Sequence, residues 1–376
     1  MGPVLYSKAR GGHWIVTRYD DAKKILQDAQ TFSSFPNGIA RKAATDPLLP
    51  LEADPPEHNS YRHAIQPLFS PKRMKALEPE IRSTVTELID GFIERGECEF
   101  VAEFARELPT RTFLAQMGLP YADAPKFAKW THTSLVGDPD GTEEESAAVR
   151  ERAEQEMGGY FMGVIEERRG QPPDQASDVT SVVINTPVEI DGEERLMTDD
   201  ELLRLFLLTM LGGLHTVQGS LAWGILNLSR NPEARQELIA NPDLVPEAVE
   251  EILRIDAAIA PGRRVTRDVE IAGIEMKEGD QLVILFATAN RDPAEFDDPA
   301  SFSLHRPHHR HLSFSVGRHR CIGSHLAREE LRIAFEEIHA RVPDYEIAGP
   351  TVWHPSQTRG VLAMPIRFTP GQRSNA

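Results

Sequence analysis

The segment from Phe314 to Gly323, with the sequence FSVGRHRCIG, contains the most chemically informative residues of the chain. Its cysteine, Cys321, precedes a run of residues with helical spacing, and the positive end of a helix favours a thiolate over a thiol. Gly317 and Gly323 let the backbone bend and approach a flat ligand without a clash at Cβ. These residues fit a metal-binding cysteine, whereas the alternatives are a simple turn and a small buried hydrophobe.

The pattern Phe-x-x-Gly-x-x-x-Cys-x-Gly, followed by the residues LARE at 326–329, resembles the haem-binding loop of the cytochrome P450 family. The resemblance implies haem b with the thiolate of Cys321 as axial ligand, and such a thiolate favours O–O cleavage with O2 as co-substrate. Phe314 would then shield the sulfur. The second cysteine, Cys98, lacks such surroundings and is interpreted as structural.

Basic residues elsewhere in the chain match the haem propionate contacts of the family. The residues DPPE at 54–57 predict a helix start, with Asp54 as N-cap and Glu57 completing a capping box. Two basic residues four apart on that helix usually lie on the surface, but they can also clamp a carboxylate. The propionate contacts that the resemblance implies are His58, Arg62, Arg263 and His319.

Glu251 and Arg254 place an acid and a base three residues apart on one face of a predicted helix. Taken alone, they form a solvated pair that contributes a few tenths of a kcal/mol. In the family, the matching residues join a later arginine in a buried network behind the haem, and Arg306 fits that position. Three buried charges would need mutual pairing.

Two adjacent glycines, Gly212 and Gly213, lie inside the longest helical pattern of the chain, where each costs roughly 1 kcal/mol relative to alanine. A close helix crossing would explain them. The resemblance instead predicts a locally opened helix that leaves room for O2 and substrate, with the hydroxyl of Thr216 offering a hydrogen bond.

The residue before this threonine departs from the family, which usually has an acid there for proton delivery. This chain has His215. Histidine titrates near neutral pH, so one hypothesis is that His215 replaces the acid in the relay. The other is impaired use of O2 and electrons, with peroxide as the better oxidant.

The residues that should line a distal substrate pocket, by position relative to the family, are mainly aliphatic and predict a small apolar substrate, terpenoid or aromatic. The alternative is that they pack the core. They are Ile39, Leu208, Leu211, Ile259, Ala260 and Val361, within or beside the segments 39–51, 259–261 and 359–361.

The elements around these residues are predicted to be mostly helical. Apolar spacing predicts helices over 20–26, 199–228 and 324–342 and largely helical structure from 70 to 169. Short strands are expected at 13–17 and within 269–285, while 32–53 and 138–156 are interpreted as a surface loop and a solvated connection. The fold class is therefore mainly α with minor β. The resemblance implies the cytochrome P450 fold as one triangular helical domain over 1–376, with small sheets, a short N-terminus and no fused reductase.

The composition excludes several classes of partner. With 41 Lys plus Arg against 58 Asp plus Glu, the net charge of −17 disfavours nucleic acid and anionic lipid. No apolar run is long enough to cross a bilayer, and no secretory signal is present. Two cysteines are too few for a disulfide framework. A soluble cytoplasmic protein is expected.

These observations predict a haem-thiolate monooxygenase that hydroxylates a small apolar substrate. Because no flavin or ferredoxin segment is present, we expect electrons from a separate iron–sulfur ferredoxin and its reductase, steered by a local basic face. The alternatives are a peroxide-driven or non-oxygenating haem-thiolate enzyme and a non-catalytic haem ligand sensor. The basic face contains Arg310, Arg318, Arg320 and Arg328, and a metal site at His305, His308, His309 and His311 is a minor alternative.

Overall fold

The computed structural model describes residues 2–39, 46–138, 141–171, 178–190, 192–354 and 357–374. Helices account for most of the ordered structure, as the apolar spacing predicts. The helices are α1 Tyr19–Gln27, α2 Glu57–Ile65, α3 Pro71–Ala76, α4 Glu78–Asp90, α5 Glu107–Met117, α6 Ala124–Val136, α7 Glu143–Arg168, α8 Val179–Asn185, α9 Asp199–Arg230, α10 Pro232–Ala240, α11 Val245–Ile255, α12 Phe286–Ala289 and α13 Ser324–Arg341.

Short strands form small sheets at the edges of this helical body. The largest sheet has the order β1-β2-β10-β7-β3, with β10 parallel to β2 and the other pairs antiparallel. The strands are β1 Val4–Ser7, β2 His13–Val16, β3 Phe32–Ser33, β4 Glu97–Glu99, β5 Val188–Ile190, β6 Glu193–Arg195, β7 Gly262–Val265, β8 Val269–Ile271, β9 Ile274–Met276, β10 Gln281–Ile284, β11 Glu346–Ile347, β12 Val352–His354, β13 Gly360–Ala363 and β14 Pro365–Arg367.

Helix α9 organises the helical body. It begins with a capping box in which Thr198 Oγ1 accepts from the Glu201 amide at 3.2 Å and the Glu201 carboxylate accepts from the Thr198 amide at 2.6 Å. Its length and apolar composition would suffice to cross a membrane, but most of the helix is buried inside the fold. One apolar cluster packs around its first half and another around its second half. The prediction of a central helix is confirmed.

Three local predictions are wrong. Asp54 does not cap α2: its carboxylate accepts hydrogen bonds from Ser33 Oγ at 2.5 Å and from the Ser34 amide at 3.1 Å. Nor is 32–53 simply a surface loop in its described part, because Leu49 and Glu52 are buried. Residues 40–45 of that segment lie outside the described residues. The segment 138–156 mostly belongs to α7, since acidic residues with good helix propensity extend that helix toward its N-terminus.

Helix α13 carries a buried carboxyl group at Glu330. The residue is 2% exposed, and its Oε1 has no hydrogen-bond partner among the described residues. Burial raises the pKa of Glu330 to about 8. The folded protein therefore keeps this proton over a pH range in which an unfolded chain releases it.

We expect Glu330→Gln to stabilise the protein at alkaline pH. Because the folded-state pKa is raised, the stabilising effect of the bound proton is complete below the unfolded pKa and is lost as pH rises through about 8. The variant lacks this loss and should be more stable by on the order of 3 kcal/mol at pH 8, with little difference at pH 5. Thermal unfolding midpoints at the two pH values measure this, with the exposed Glu80→Gln as control. Equal gains at both pH values would contradict it.

Candidate functional site

The cysteine loop, residues 314–323, is a tight turn between an irregular segment and α13. The Cys321 amide donates to the Phe314 carbonyl at 2.8 Å, which closes the loop. Gly317 has φ of +74°, and a Cβ there would lie 3.0 Å from the Leu26 carbonyl oxygen at the end of α1. Glycine at 317 is therefore required both by the backbone conformation and by close packing.

Asn290 anchors the start of this loop. Its side chain accepts from the Leu312 amide at 2.7 Å and donates to Ser313 Oγ at 2.8 Å. Ser313 Oγ in turn donates to the Leu253 carbonyl of α11 at 2.5 Å. Asn290 is completely buried. The loop is thus fastened to α11 through one amide side chain, a role that the sequence analysis did not assign.

The structure brings Glu251, Arg254 and Arg306 together. Arg254 Nε and Nη2 donate to the two Glu251 carboxylate oxygens at 2.7 and 2.8 Å, and Arg306 Nε lies 2.8 and 2.9 Å from the same oxygens. The side chains of Glu251 and Arg254 are 0% exposed. Arg254 Nη1 also donates to the Asn290 carbonyl at 2.8 Å. The charged network therefore connects directly to the residue that fastens the cysteine loop.

The sulfur of Cys321 lies in a recess rather than on the outer surface. Cys321 is accessible to solvent, yet the surrounding protein atoms desolvate its thiol. Burial nevertheless raises the pKa of the Cys321 thiol, and the Gly323 N–H and the guanidinium of Arg62 lower it less. The helix terminus was predicted to favour the thiolate, but desolvation of the thiol has the larger effect. A metal ion would have to displace the proton.

Phe314 contacts an arginine that is held by an acid. The guanidinium of Arg328 lies 4.5 Å from the centre of the Phe314 ring. Arg328 also donates to both carboxylate oxygens of Glu250, at 2.6 and 2.9 Å, and His311 Nε2 lies 3.2 Å from the same carboxylate. Glu250 was not among the predicted site residues, although its position beside Glu251 in the same predicted helix is a signal visible in the sequence. Glu250 and Arg328 hold the Phe314 ring in place.

Four basic residues on three segments form a second part of the site. The rings of His58 and His319 are 4.4 Å apart, and both residues are buried. Both ring nitrogens of His319 and Nδ1 of His58 have no hydrogen-bond partner within the described part of the chain. Burial, and then Arg263, His58 and Arg62 nearby, lower the pKa of His319 to about 3. These side chains are close together, and the acid that acts on both His58 and Arg263 is Asp54.

Arg263 adds a buried positive charge to this group of basic side chains. It is 3% exposed, and its Nη1 donates to the Gly262 carbonyl at 2.7 Å. Burial lowers the pKa of Arg263 to about 10, and the carboxylate of Asp54 opposes this effect. A buried cation without a close anion is costly. The four side chains therefore fit a ligand that brings its own carboxylates, as haem does with its two propionates.

Helix α9 passes Gly212 and Gly213 without a break, so the predicted local opening of the helix is wrong. Thr216 Oγ1 donates to the Gly212 carbonyl at 2.9 Å, as threonine does in a regular helix. Both glycines are exposed, and a Cβ on either would meet nothing within 4 Å. The glycines open space beside the helix by lacking side chains, while the backbone stays helical.

The His215 side chain points toward α6 and forms a hydrogen bond with the backbone of that helix. It is buried, and its Nε2 lies 2.5 Å from the Thr131 carbonyl oxygen. Burial lowers the pKa of His215 to about 4. A neutral imidazole that donates to a backbone carbonyl anchors α9 to α6, and this arrangement offers no support for the hypothesis of a proton relay through His215.

The predicted pocket residues divide into two groups. Val361 is 0% exposed within the main apolar cluster, so it packs the core, and Ala260 is 6% exposed. The others keep part of their surface accessible: Ile39, Leu208, Leu211 and Ile259.

The histidines near residue 308 do not converge on a metal site. His305 Nε2 lies 2.8 Å from Glu237 Oε1, His311 lies beside Glu250, and the His308 ring packs 5.5 Å from the ring of Phe296. No group of three or more potential metal-binding side chains of His, Cys, Asp or Glu occurs in the described ranges. The minor alternative of a histidine metal site therefore finds no support.

Comparison with known proteins gives the same family throughout. The family model for cytochrome P450 matches residues 144–339. The chain is 32% identical over 359 residues to the putative cytochrome P450 YjiB of Bacillus subtilis, covering 94% of this chain and 88% of that protein. It is 33% identical over 348 residues to a methyl-branched lipid omega-hydroxylase of Mycobacterium tuberculosis, covering 89% of this chain and 79% of that protein.

Solved structures agree with the sequence matches. The crystal structure of P450BioI in complex with acyl carrier protein ligated to hexadec-9Z-enoic acid matches with a TM-score of 0.85 and 27% identity, covering 97% of this chain and 95% of that one. The prediction of the fold is confirmed by this match.

Removing the shared carboxylate of the network tests how much it supports. Glu251→Gln would leave the buried guanidinium groups of Arg254 and Arg306 without their counter-charge, so we expect the free energy of unfolding to fall by about 3–5 kcal/mol. Thermal unfolding midpoints of the variant and of the exposed control Glu270→Gln measure the loss. A midpoint for Glu251→Gln equal to that of the control would show that the network stabilises little.

Proposed function

The chain belongs to the cytochrome P450 family of monooxygenases, and from this premise we propose that it hydroxylates an apolar organic substrate with O2 and electrons from a separate donor. One observation carries the proposal: a recessed cysteine just before α13 occurs together with four basic side chains, two of which are histidines with unpartnered ring nitrogens within the described part of the chain. The cysteine fits an iron ligand, and the basic side chains fit the two propionates of haem. One relative is named as a methyl-branched lipid omega-hydroxylase and one structural neighbour holds an acyl carrier protein ligated to hexadec-9Z-enoic acid, which supports an apolar substrate.

Different residues of the chain would bind the iron and the propionates of haem. Cys321 would ligate iron through Sγ, while His58, Arg62, Arg263 and His319 would bind the propionates. When bound, haem activates O2, and thiolate ligation favours cleavage of the O–O bond. The Gly323 amide donates to Sγ and tunes its electron donation.

On the side of α9, Thr216 would handle protons. Its hydroxyl proton is donated to the Gly212 carbonyl, so the lone pairs on Oγ1 remain free to accept a hydrogen bond from water or substrate. The absent side chains of Gly212 and Gly213 leave the room in which such a molecule would lie. His215 would hold α6 against α9.

We propose an acidic iron–sulfur ferredoxin and its reductase as the electron donors. Arg310, Arg318 and Arg320 are exposed in or just before the cysteine loop, whereas Arg328 is paired with Glu250. Exposed cations in a chain of net charge −17 would steer an acidic partner to that face. We further propose that the chain acts in the cytoplasm as a single haem domain.

The two cysteines provide a matched test of iron ligation. We expect Cys321→Ser to abolish the spectrum of thiolate ligation in the reduced carbon monoxide adduct, because serine supplies no thiolate to the iron. Cys98→Ser should retain the spectrum, because Cys98 is buried in the main apolar cluster and burial raises its thiol pKa. A wild-type adduct with the spectrum of nitrogen-ligated iron would overturn the proposal.

Two variants in α9 separate proton handling from anchoring. Thr216→Ala should lower the product formed per reductant consumed several-fold, because the Oγ1 acceptor is lost. His215→Gln keeps a donor for the Thr131 carbonyl and should retain most of the coupling. Product and reductant measured in the same reaction give both values. An equal loss in His215→Gln would restore the relay hypothesis, and faster wild-type turnover with peroxide than with O2 and reductant would favour the peroxide-driven alternative.

A further inference from the structure

Helix α11 carries two adjacent acids, Glu250 and Glu251, that contact different parts of the protein. Glu251 lies inside the charged network with Arg254 and Arg306. Glu250 faces the cysteine loop instead, and its two carboxylate oxygens accept hydrogen bonds from Arg328 of α13 at 2.6 and 2.9 Å. The role of Glu250 is therefore separate from that of Glu251.

His311 is the second partner of Glu250. The His311 side chain is 1% exposed, and its Nε2 lies 3.2 Å from Glu250 Oε2. The Ser313 amide donates to His311 Nδ1 at 3.3 Å, so the neutral ring carries its hydrogen on Nε2 and donates it to Glu250. Glu250 thus holds one residue before the cysteine loop, His311, and one residue after it, Arg328.

The two partners of Glu250 meet again at the Phe314 ring. The guanidinium of Arg328 lies 4.5 Å from the centre of this ring, and the centre of the His311 ring lies 6.0 Å from it. A guanidinium over an aromatic face is attracted to the ring electrons. The Phe314 carbonyl closes the loop by accepting from the Cys321 amide. Glu250, His311, Phe314 and Arg328 therefore form one unit at the closure of the loop, here called the Glu250 clamp.

The clamp also carries a balanced pair of charges close to the cysteine. Arg328 Nη1 donates to the Ser324 carbonyl at 3.4 Å, three residues after Cys321. Burial would raise the pKa of Glu250, but hydrogen bonds from Arg328 and His311 lower it to about 2, so the carboxylate is charged at neutral pH. An unpaired guanidinium would stabilise negative charge at the sulfur, and the Glu250 carboxylate cancels part of that effect.

We propose that Glu250 is a positioning residue that acts on the metal ligand through Arg328. It holds the guanidinium against the Phe314 ring, and its charge keeps the reduction potential of a thiolate-ligated iron low. The inference rests on the proposed function and adds a control of the same site. Charges and hydrogen bonds around the ligand are among the features by which a protein sets the potential of bound haem.

Midpoint potentials of the haem-loaded protein, measured by spectroelectrochemical titration, test this role because the two charges should act with opposite sign. Glu250→Gln should raise the potential, since the Arg328 charge then lacks its counter-charge. Arg328→Gln should lower the potential, since an uncompensated carboxylate remains. We expect the equilibrium constant for one-electron reduction to change about tenfold in each variant, or about 59 mV. Glu250→Asp keeps the charge and should stay close to the wild-type potential.

The control variant Glu270→Gln removes an exposed carboxylate from β8 and should leave the potential unchanged. A merely structural role predicts shifts of the same sign in Glu250→Gln and Arg328→Gln, because both variants break the same ion pair. That result would overturn the inference, and so would a shift in Glu250→Gln no larger than that of the control. Where Glu250→Gln does not fold, Arg328→Gln decides: a lower potential supports the inference, and an unchanged or higher potential overturns it.

The reduced carbon monoxide spectrum of the wild type separates this inference from the proposed function. A spectrum of nitrogen-ligated iron overturns the proposed function and the inference with it. A thiolate spectrum together with an unchanged potential in Glu250→Gln removes only the role of Glu250.

Discussion

The position of the cysteine loop depends on one buried carboxylate. Glu251 is shared by Arg254 and Arg306, and Arg254 also holds the backbone at Asn290, whose side chain fastens the loop that leads to Cys321. Charges buried this deeply persist only when each finds a partner, so the three side chains must assemble together. The sulfur is placed by a chain of polar contacts that starts in α11, two helices before α13 in the sequence.

Where buried basic side chains lack such acidic partners, the missing negative charge indicates a bound ligand. The rings of His58 and His319 are 4.4 Å apart, with ring nitrogens that have no partner among the described residues, and Arg263 beside them is buried. In a chain with 58 acidic residues, acids were available to pair with these bases. Unpaired bases therefore distinguish binding surfaces from structural ion pairs, such as those of Arg332 with its neighbouring glutamates.

Much of this architecture was predictable because it follows local patterns. The central helix, the helix after Cys321 and the turns at Gly273 and Gly279 follow from periodicity and turn chemistry. The hydrogen-bond partners of Asp54 could not be predicted from local patterns, because its carboxylate accepts hydrogen bonds from Ser33 and Ser34, about twenty residues away in sequence. His215 likewise required tertiary structure, since only packing against α6 shows which atom its imidazole contacts. Local sequence rules predict helices, strands and turns. The role of a side chain, by contrast, depends on partners that are distant in sequence and are known only from the tertiary structure.

The unbroken course of α9 affects how this enzyme could acquire new specificity. A continuous 32-residue rod, anchored by a capping box at one end and buried in two apolar clusters, tolerates little change in shape. Variation is accommodated more easily at exposed positions beside it, such as Val352 and Trp353 in β12. In directed evolution, substitutions that change specificity should therefore be accepted first at positions beside α9, while α9 itself changes little.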